Sequence, residues 1–171
     1  APLYVDFSRA SSNPTPGFPP PEDLAPEQGD TTYVHTEFFL DRRQLALPAG
    51  ARVSFATYFN AFPASYWRRW TDVTEVTLRL RLEGQGMVVV LRSNARGVSQ
   101  RVDSRAVAGV ETVEFRLPLG RFADGGWYWF DLISGREALT LVEADWLAAA
   151  SDTTPGTATL EITTMNKPDY C

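Results

Sequence analysis

Two segments of the chain carry clustered aromatic side chains of a kind that binds sugars. The flat faces of Trp and Tyr stack on the apolar C–H faces of sugar rings, while nearby Arg, Asp and Asn groups bind the hydroxyls. The same rings could instead fill a core or an interface, with the arginines as cation–π partners. Both interpretations are open from the residue types alone. The residues concerned are Tyr66, Trp67, Arg68, Arg69 and Trp70 in the first segment and Trp127 and Trp129, which should share one strand face, in the second.

Residues for acid–base or metal chemistry are few. The chain has one histidine, His35, and one cysteine, Cys171, too few for a zinc site built from His and Cys. His35 lies in an alternating segment, which is typical of a structural strand histidine. The aspartates never occur as Asp-x-Asp, and although Asp131 and Glu143 could form a carboxylate pair for glycoside hydrolysis, nothing singles them out. The sequence therefore predicts no catalytic residue and no metal site in this chain.

Charge and hydrophobic content are those of a globular domain. The 171 residues carry a net charge of −5, with a pI of about 4.9. An acidic chain disfavours a nucleic-acid surface, because binding phosphates requires a cationic face. No apolar run approaches the roughly 18 to 20 residues that span a bilayer, and a single terminal cysteine is compatible with a reducing cytoplasm. We expect a soluble domain that binds no nucleic acid.

Short strand-like segments separated by turn residues fill the chain after Gly29. VTLRLRL (76–82) alternates apolar and polar residues, which indicates a half-buried strand, and MVVVL (87–91) follows an expected turn at EGQG. No long amphipathic helix is predicted, and 145–151 could form only a short one. The sequence therefore predicts an all-β fold, an antiparallel, jelly-roll-like β-sandwich of about eight or nine strands. The other expected strands are 32–39, 52–59, 113–117, 127–133, 137–142 and 157–163, with turns at Gly125-Gly126 and Ser134-Gly135.

A proline-rich stretch precedes these strands. Residues 11–30 hold six of the twelve prolines and show almost no periodic apolar pattern. Such a composition favours an extended, polyproline-like conformation. We therefore expect an N-terminal arm, which could dock through Phe18 and Leu24.

The most specific motif of the chain is SFATYFNAFPASYWRRWT (54–71), and it is followed by FADGGWYWFDL (122–132), PGTA (155–158) and TMNKPDYC (164–171). Together these motifs resemble the N-terminal region of the polymerising galactofuranosyltransferases, the family that builds cell-wall galactan in mycobacteria and related actinobacteria. LYVDFS near the start resembles the family's opening strand. The resemblance covers nearly the whole chain, with least correspondence in the proline-rich arm.

The resemblance implies a β-sandwich that precedes an inverting GT-A glycosyltransferase domain in a homotetrameric enzyme. The parent enzyme would transfer galactofuranose from UDP-galactofuranose to lipid-linked galactan, as a peripheral protein on the cytoplasmic face of the plasma membrane. Its divalent metal, Mn²⁺ or Mg²⁺, and its catalytic base would belong to the part that this chain lacks, so no cofactor is expected here. The implied division is 1–30 for the N-terminal segment and arm, 31–160 for the β-sandwich accessory domain and 161–171 for the start of the transferase domain.

Only the last segment would contact substrate. TMNKP resembles the family's motif at the end of the first transferase strand, where ligands of α/β sheets bind. By that resemblance Thr164 and Asn166 would line the nucleotide pocket and Lys167 would lie near the diphosphate. Met165 replaces an aromatic residue of the motif, and Lys167 replaces an arginine and so loses bidentate geometry.

Two roles are open for the aromatic segment at 66–70. It could pack on the transferase domain or a neighbouring subunit, since Trp, Tyr and Arg are the usual residues of interface hot spots. It could instead guide the growing galactan. An alternative from another class is a free-standing carbohydrate-binding module.

Overall fold

The computed structural model describes Leu40, residues 44–57 and residues 60–149. Within these residues it contains five strands and one helix. They are β1 Leu45–Leu47, β2 Arg52–Ser54, α1 Ala64–Trp70, β3 Glu75–Ser93, β4 Ser99–Pro118 and β5 Tyr128–Ala148. Predictions that fall elsewhere stay predictions: the arm at 1–30, His35, the strands 32–39 and 157–163, and Thr164, Asn166 and Lys167.

The fold is an antiparallel β-sandwich, as the sequence predicts. The strands follow the order β1-β5-β3-β4, with β2 also paired to β5, and every pairing is antiparallel. β3 and β4 form a hairpin along nearly their whole length. Jelly-roll connectivity stays a prediction, because strands expected to complete it lie outside the described residues.

The sandwich arises because the longest strands fold back on themselves. β5 has 21 residues, and a straight strand of that length would extend about 65 to 70 Å. Yet Phe62 pairs with Tyr128 at the start of β5, its N–H donating to the Tyr128 carbonyl at 2.7 Å, while its ring centroid lies 5.4 Å from that of Trp146 near the end. The two ends of β5 are therefore close together, and the two halves of the sheet face each other.

Glycines allow this bend. Gly84 in β3 has a φ of +115°, and a Cβ there would lie 2.1 Å from the carbonyl oxygen of Ala138. At the same place the pairing of β3 with β5 jumps from Gly84–Leu139 to Gly86–Ser134, so that β5 carries extra residues at the bend. The close backbone approach requires a residue without a side chain.

Part of the strand prediction was wrong, because two expected turns lie within continuous strands at this bend. EGQG was expected to be a turn, but VTLRLRL and MVVVL are continuous within β3. Ser134-Gly135 was also expected to be a turn, yet residues 128–133 and 137–142 both belong to the uninterrupted β5. β5 extends to Ala148, so residues 145–148, where the sequence allowed at most a short helix, are in a strand. Fewer, longer strands thus replace several of the expected short ones.

The alternation in β3 sets the main core. Val76, Leu78, Leu80 and Leu82 are at most 1% exposed, whereas the residues between them are half-buried or exposed. This confirms the expected half-buried strand. The core also contains Phe55 and Phe130, whose rings stack at 4.3 Å. Burying each large apolar side chain stabilises the fold by about 1.5 to 3 kcal/mol.

Candidate functional site

The most conspicuous motif of the sequence forms a short helix. α1 spans Ala64–Trp70 after Pro63, and Trp67 donates its N–H to the Pro63 carbonyl at 3.1 Å. Thr71 ends the helix, with its backbone N–H and its hydroxyl both donating to the Trp67 carbonyl, at 3.0 and 2.6 Å. A helix of seven residues is marginal by itself, so tertiary contacts such as those of the fully buried Ala64 must hold it.

The five predicted residues at 66–70 differ in exposure, because they lie on different sides of the helix. Trp67 is half-buried and stacks on Phe62, with ring centroids 5.6 Å apart. Tyr66 and Trp70 are 60% and 68% exposed. Since helix positions three and four apart are neighbours, Tyr66, Arg69 and Trp70 lie on one side of the helix. We call these three residues the α1 face; Arg68 is also exposed but does not belong to it.

Contacts of Trp67 join the helix α1 to the end of β5. Trp67 stacks on Phe62, and Phe62 in turn contacts the ring of Trp146. Trp146 also donates its indole Nε1–H to the backbone carbonyl of Asn60 at 2.9 Å. The helix therefore sits beside the place where β5 ends.

The second aromatic segment has a different environment. Trp129 is 1% exposed and packs with Ala61, Val89 and Leu91, with Trp127 half-buried against this cluster. Tyr128 points into the main core instead. The expected shared face of Trp127 and Trp129 is confirmed, and Trp129 is packed rather than exposed as a sugar platform.

A hydrogen bond holds Tyr128 in the main core. Its hydroxyl donates to the Pro118 carbonyl at 2.9 Å. Burial raises the pKa of Tyr128, and Arg92 and Arg121 offset part of that rise. The buried hydroxyl is thus a satisfied structural group.

Asp131 is a buried charge on the same side of β5 as Trp129. It is 1% exposed, and its Oδ2 accepts a hydrogen bond from Arg52 Nη2 at 2.5 Å. Within the described part of the chain its Oδ1 has no hydrogen-bond partner. Burial raises the pKa of Asp131 above the usual aspartate range, and the nearby Ser54 hydroxyl and Arg52 guanidinium act in the opposite direction.

This ion pair fixes β2 to β5, and the sequence interpretation missed it. Ser54 is the register partner of Asp131, and Arg52 is that of Ile133, so both β2 side chains lie on the carboxylate's side. The only signal in the sequence is one acidic residue within the apolar WYWFDLI. Glu143, the other carboxylate considered, is exposed in the other half of β5, where its register partner is Arg81.

The described residues contain no group of three or more His, Cys, Asp or Glu side chains arranged to hold a metal ion. None of their helices is long and apolar enough to cross a membrane.

Replacing the two tryptophans of α1 is expected to have unequal effects on stability. Trp67→Ala should lower the free energy of unfolding by about 2 to 3 kcal/mol, because it removes a partly buried ring from the core edge. Trp70→Ala should change it by no more than about 0.5 kcal/mol, because the side chain is exposed. Urea unfolding followed by circular dichroism measures both, and equal losses would contradict the assignment of faces.

The fold and the site define a class of protein: a β-sandwich domain with an exposed aromatic and basic helix beside the end of its longest strand. The model of the family described as Galactofuranosyltransferase 2 N-terminal matches residues 27–149. The chain belongs to this family, which confirms the expectation from the aromatic motif.

Two curated proteins are similar to this chain over most of its length. The chain is 40% identical over 164 residues to the galactofuranosyltransferase GlfT2 of Mycobacterium tuberculosis, covering 92% of this chain and 25% of that protein. It is 39% identical over 179 residues to GlfT2 of Mycolicibacterium smegmatis, covering 99% and 28%. The chain thus spans about a quarter of the length of these relatives. A solved structure described as "CBM4 structure and function" matches 62% of this chain and 82% of its own, with a TM-score of 0.34 and 15% identity.

Proposed function

We propose that this chain is the non-catalytic N-terminal β-sandwich of a galactofuranosyltransferase. The observation that carries the proposal is the family match over residues 27–149, together with about 40% identity to two galactofuranosyltransferases. The whole enzyme transfers galactofuranose from UDP-galactofuranose to lipid-linked galactan during synthesis of cell-wall arabinogalactan. It does so as a homotetramer, peripheral on the cytoplasmic face of the plasma membrane.

The proposal assigns the chemistry to the region that follows the sandwich. That region forms the GT-A domain, binds UDP-galactofuranose and holds the divalent metal and the catalytic base. The sandwich occupies 31–160 after an N-terminal segment and arm at 1–30, and 161–171 begins the transferase domain. Within 161–171, Thr164, Asn166 and Lys167 contact the nucleotide sugar.

The sandwich serves the enzyme through the α1 face. Tyr66 and Trp70 are large, exposed rings with Arg69 beside them, a composition that suits a protein interface. The first role of the α1 face is therefore to form an interface with the transferase domain or a neighbouring subunit. A second role, guidance of the galactan acceptor, is supported by the same exposed rings, because they are free to stack on sugars.

The isolated chain is expected to lack transferase activity. Incubation of the purified 171 residues with UDP-galactofuranose, Mg²⁺ and a short galactan acceptor should give no product, whereas the same chain continued into its transferase region should elongate the acceptor. Product analysis by mass spectrometry measures both. Turnover by the isolated chain would disprove the proposal.

A binding assay addresses the free-standing carbohydrate-binding module. That alternative predicts that the isolated chain binds galactofuranose oligomers tightly and that its removal leaves the transferase fully active. Calorimetry with the oligomer, combined with activity of the transferase region alone, gives the answer. Our proposal expects the truncated transferase to lose assembly or activity.

A further inference from the structure

We propose that the α1 face is the docking surface for the transferase region that follows the sandwich in the same polypeptide. This inference rests on the proposed function, in which the chain continues into a transferase region. It assigns one occupant to Tyr66, Arg69 and Trp70: the downstream region of the same molecule, rather than a neighbouring subunit, a glycan or a lipid surface.

The first support is the unusual exposure of these rings. Among the described residues, Tyr66 and Trp70 are the exposed aromatic side chains, and the other aromatic side chains are buried or half-buried. The two exposed rings are neighbours on one side of a single helix. Large apolar rings grouped on a surface mark an interaction site more often than scattered apolar residues do.

The second support is the position of the helix. β5 ends at Ala148, and Trp146 near that end contacts Phe62, on which Trp67 of α1 is stacked. The last strand that the structure describes therefore ends beside α1. A region joined to the chain shortly after this strand has a high effective concentration at the α1 face, which favours intramolecular docking over capture of a separate partner.

The length of the relatives supports the downstream region as the occupant of the α1 face. The matched region is only about a quarter of either galactofuranosyltransferase, so most of a whole enzyme lies outside it. A region of that size can cover a helix of two turns.

The exposed groups also indicate what the covering surface contains. Two rings require an apolar pocket, and burying Trp and Tyr supplies most of the binding free energy of such interfaces. Within the described residues, Arg69 of the α1 face takes part in no ion pair. We therefore expect Asp or Glu carboxylates at the rim of the pocket, where an arginine can bind them in bidentate geometry.

Photo-crosslinking in the longer enzyme tests the inference. Tyr66 is replaced by benzoylphenylalanine, which keeps an aromatic ring at the α1 face. Val110, which is 72% exposed and lies on β4 next to Gly109, receives the same replacement as a matched control. Irradiation, a denaturing gel and peptide mapping then identify the partner. Crosslinks within one chain leave its size unchanged, whereas crosslinks between chains double it.

The expected product is an intrachain crosslink from position 66 to the region beyond residue 171, with no such crosslink from position 110. Trp70→Ala should reduce its yield about tenfold, because truncating a hot-spot ring weakens docking by at least that factor. Interchain products, crosslinks to glycan or lipid, or equal yields at 66 and 110 would each overturn the inference. If the enzyme needs the sandwich for activity and these negative results are obtained, the proposed function stands and only the docking surface is wrong.

Discussion

Gly84→Ala is expected to destabilise the sandwich by about 3 to 5 kcal/mol, the sum of backbone strain and overpacking. The new Cβ would lie 2.1 Å from the Ala138 carbonyl oxygen, which belongs to the backbone of β5 and cannot simply rotate away. The φ of +115° adds strain for any residue with a side chain. Urea unfolding of the purified chain measures the loss.

Gly109→Ala is the matched control. Gly109 is the register partner of Gly84 in the β3–β4 hairpin and also has a positive φ, of +87°, but no heavy atom lies within 4 Å of a Cβ built there. Its replacement should cost about 1 kcal/mol, the strain alone. The difference between the two variants isolates the clash with β5. Equal losses would show that β5 does not approach β3 at this bend.

The bend also shows what the sequence could and could not predict. The alternation of VTLRLRL was sufficient to predict which side chains of β3 are buried, because a half-buried strand must place every second residue in the core. EGQG was misinterpreted because glycines are local signals for turns. Here pairing of Gly84 with Leu139 and Gly109 keeps β3 a continuous strand, and no local pattern records that pairing.

The exposure of the aromatic side chains was harder to predict than the strand face on which they lie. Alternation placed Trp127 and Trp129 on one face, and the structure confirms it. The burial of Trp129 depends in part on Ala61, which is far away in the sequence. Similarly, the composition of 66–70 indicated an interface or a glycan-binding surface, but only the helix shows that Trp67 packs inward while Tyr66 and Trp70 face outward. The helix is too short to leave a periodic apolar pattern.

The position of α1 follows from the same long-range contacts that fold β5. The Phe62 ring contacts both Trp67 and Trp146, so the core that closes the sandwich also orients the helix. The α1 face is thus held on a rigid part of the domain. A preorganised surface of this kind loses less conformational entropy when a partner docks.

Arg52→Met is expected to destabilise the chain by about 3 kcal/mol at neutral pH, because it leaves the buried Asp131 carboxylate without its cation. Asp131 is 1% exposed, whereas the Arg52 side chain is 29% exposed and can still reach water. Asp131→Asn should therefore cost less, about 1 to 2 kcal/mol. Chemical unfolding at fixed pH measures both values.

The double variant and the pH dependence identify the cause of the loss. Adding Asp131→Asn to Arg52→Met should restore part of the stability, because no buried charge then remains; a loss equal to the sum of the single variants would contradict an uncompensated charge.

The pKa of Asp131 is already raised by burial, so the folded state binds its proton more tightly than the unfolded state does. Stability from this group is fully present below the unfolded pKa of about 3.9 and is lost as pH rises through the folded pKa. Removing Arg52 raises that pKa further, so the penalty of Arg52→Met should shrink on acidification, and a penalty independent of pH would mean that lost packing, not charge, is responsible.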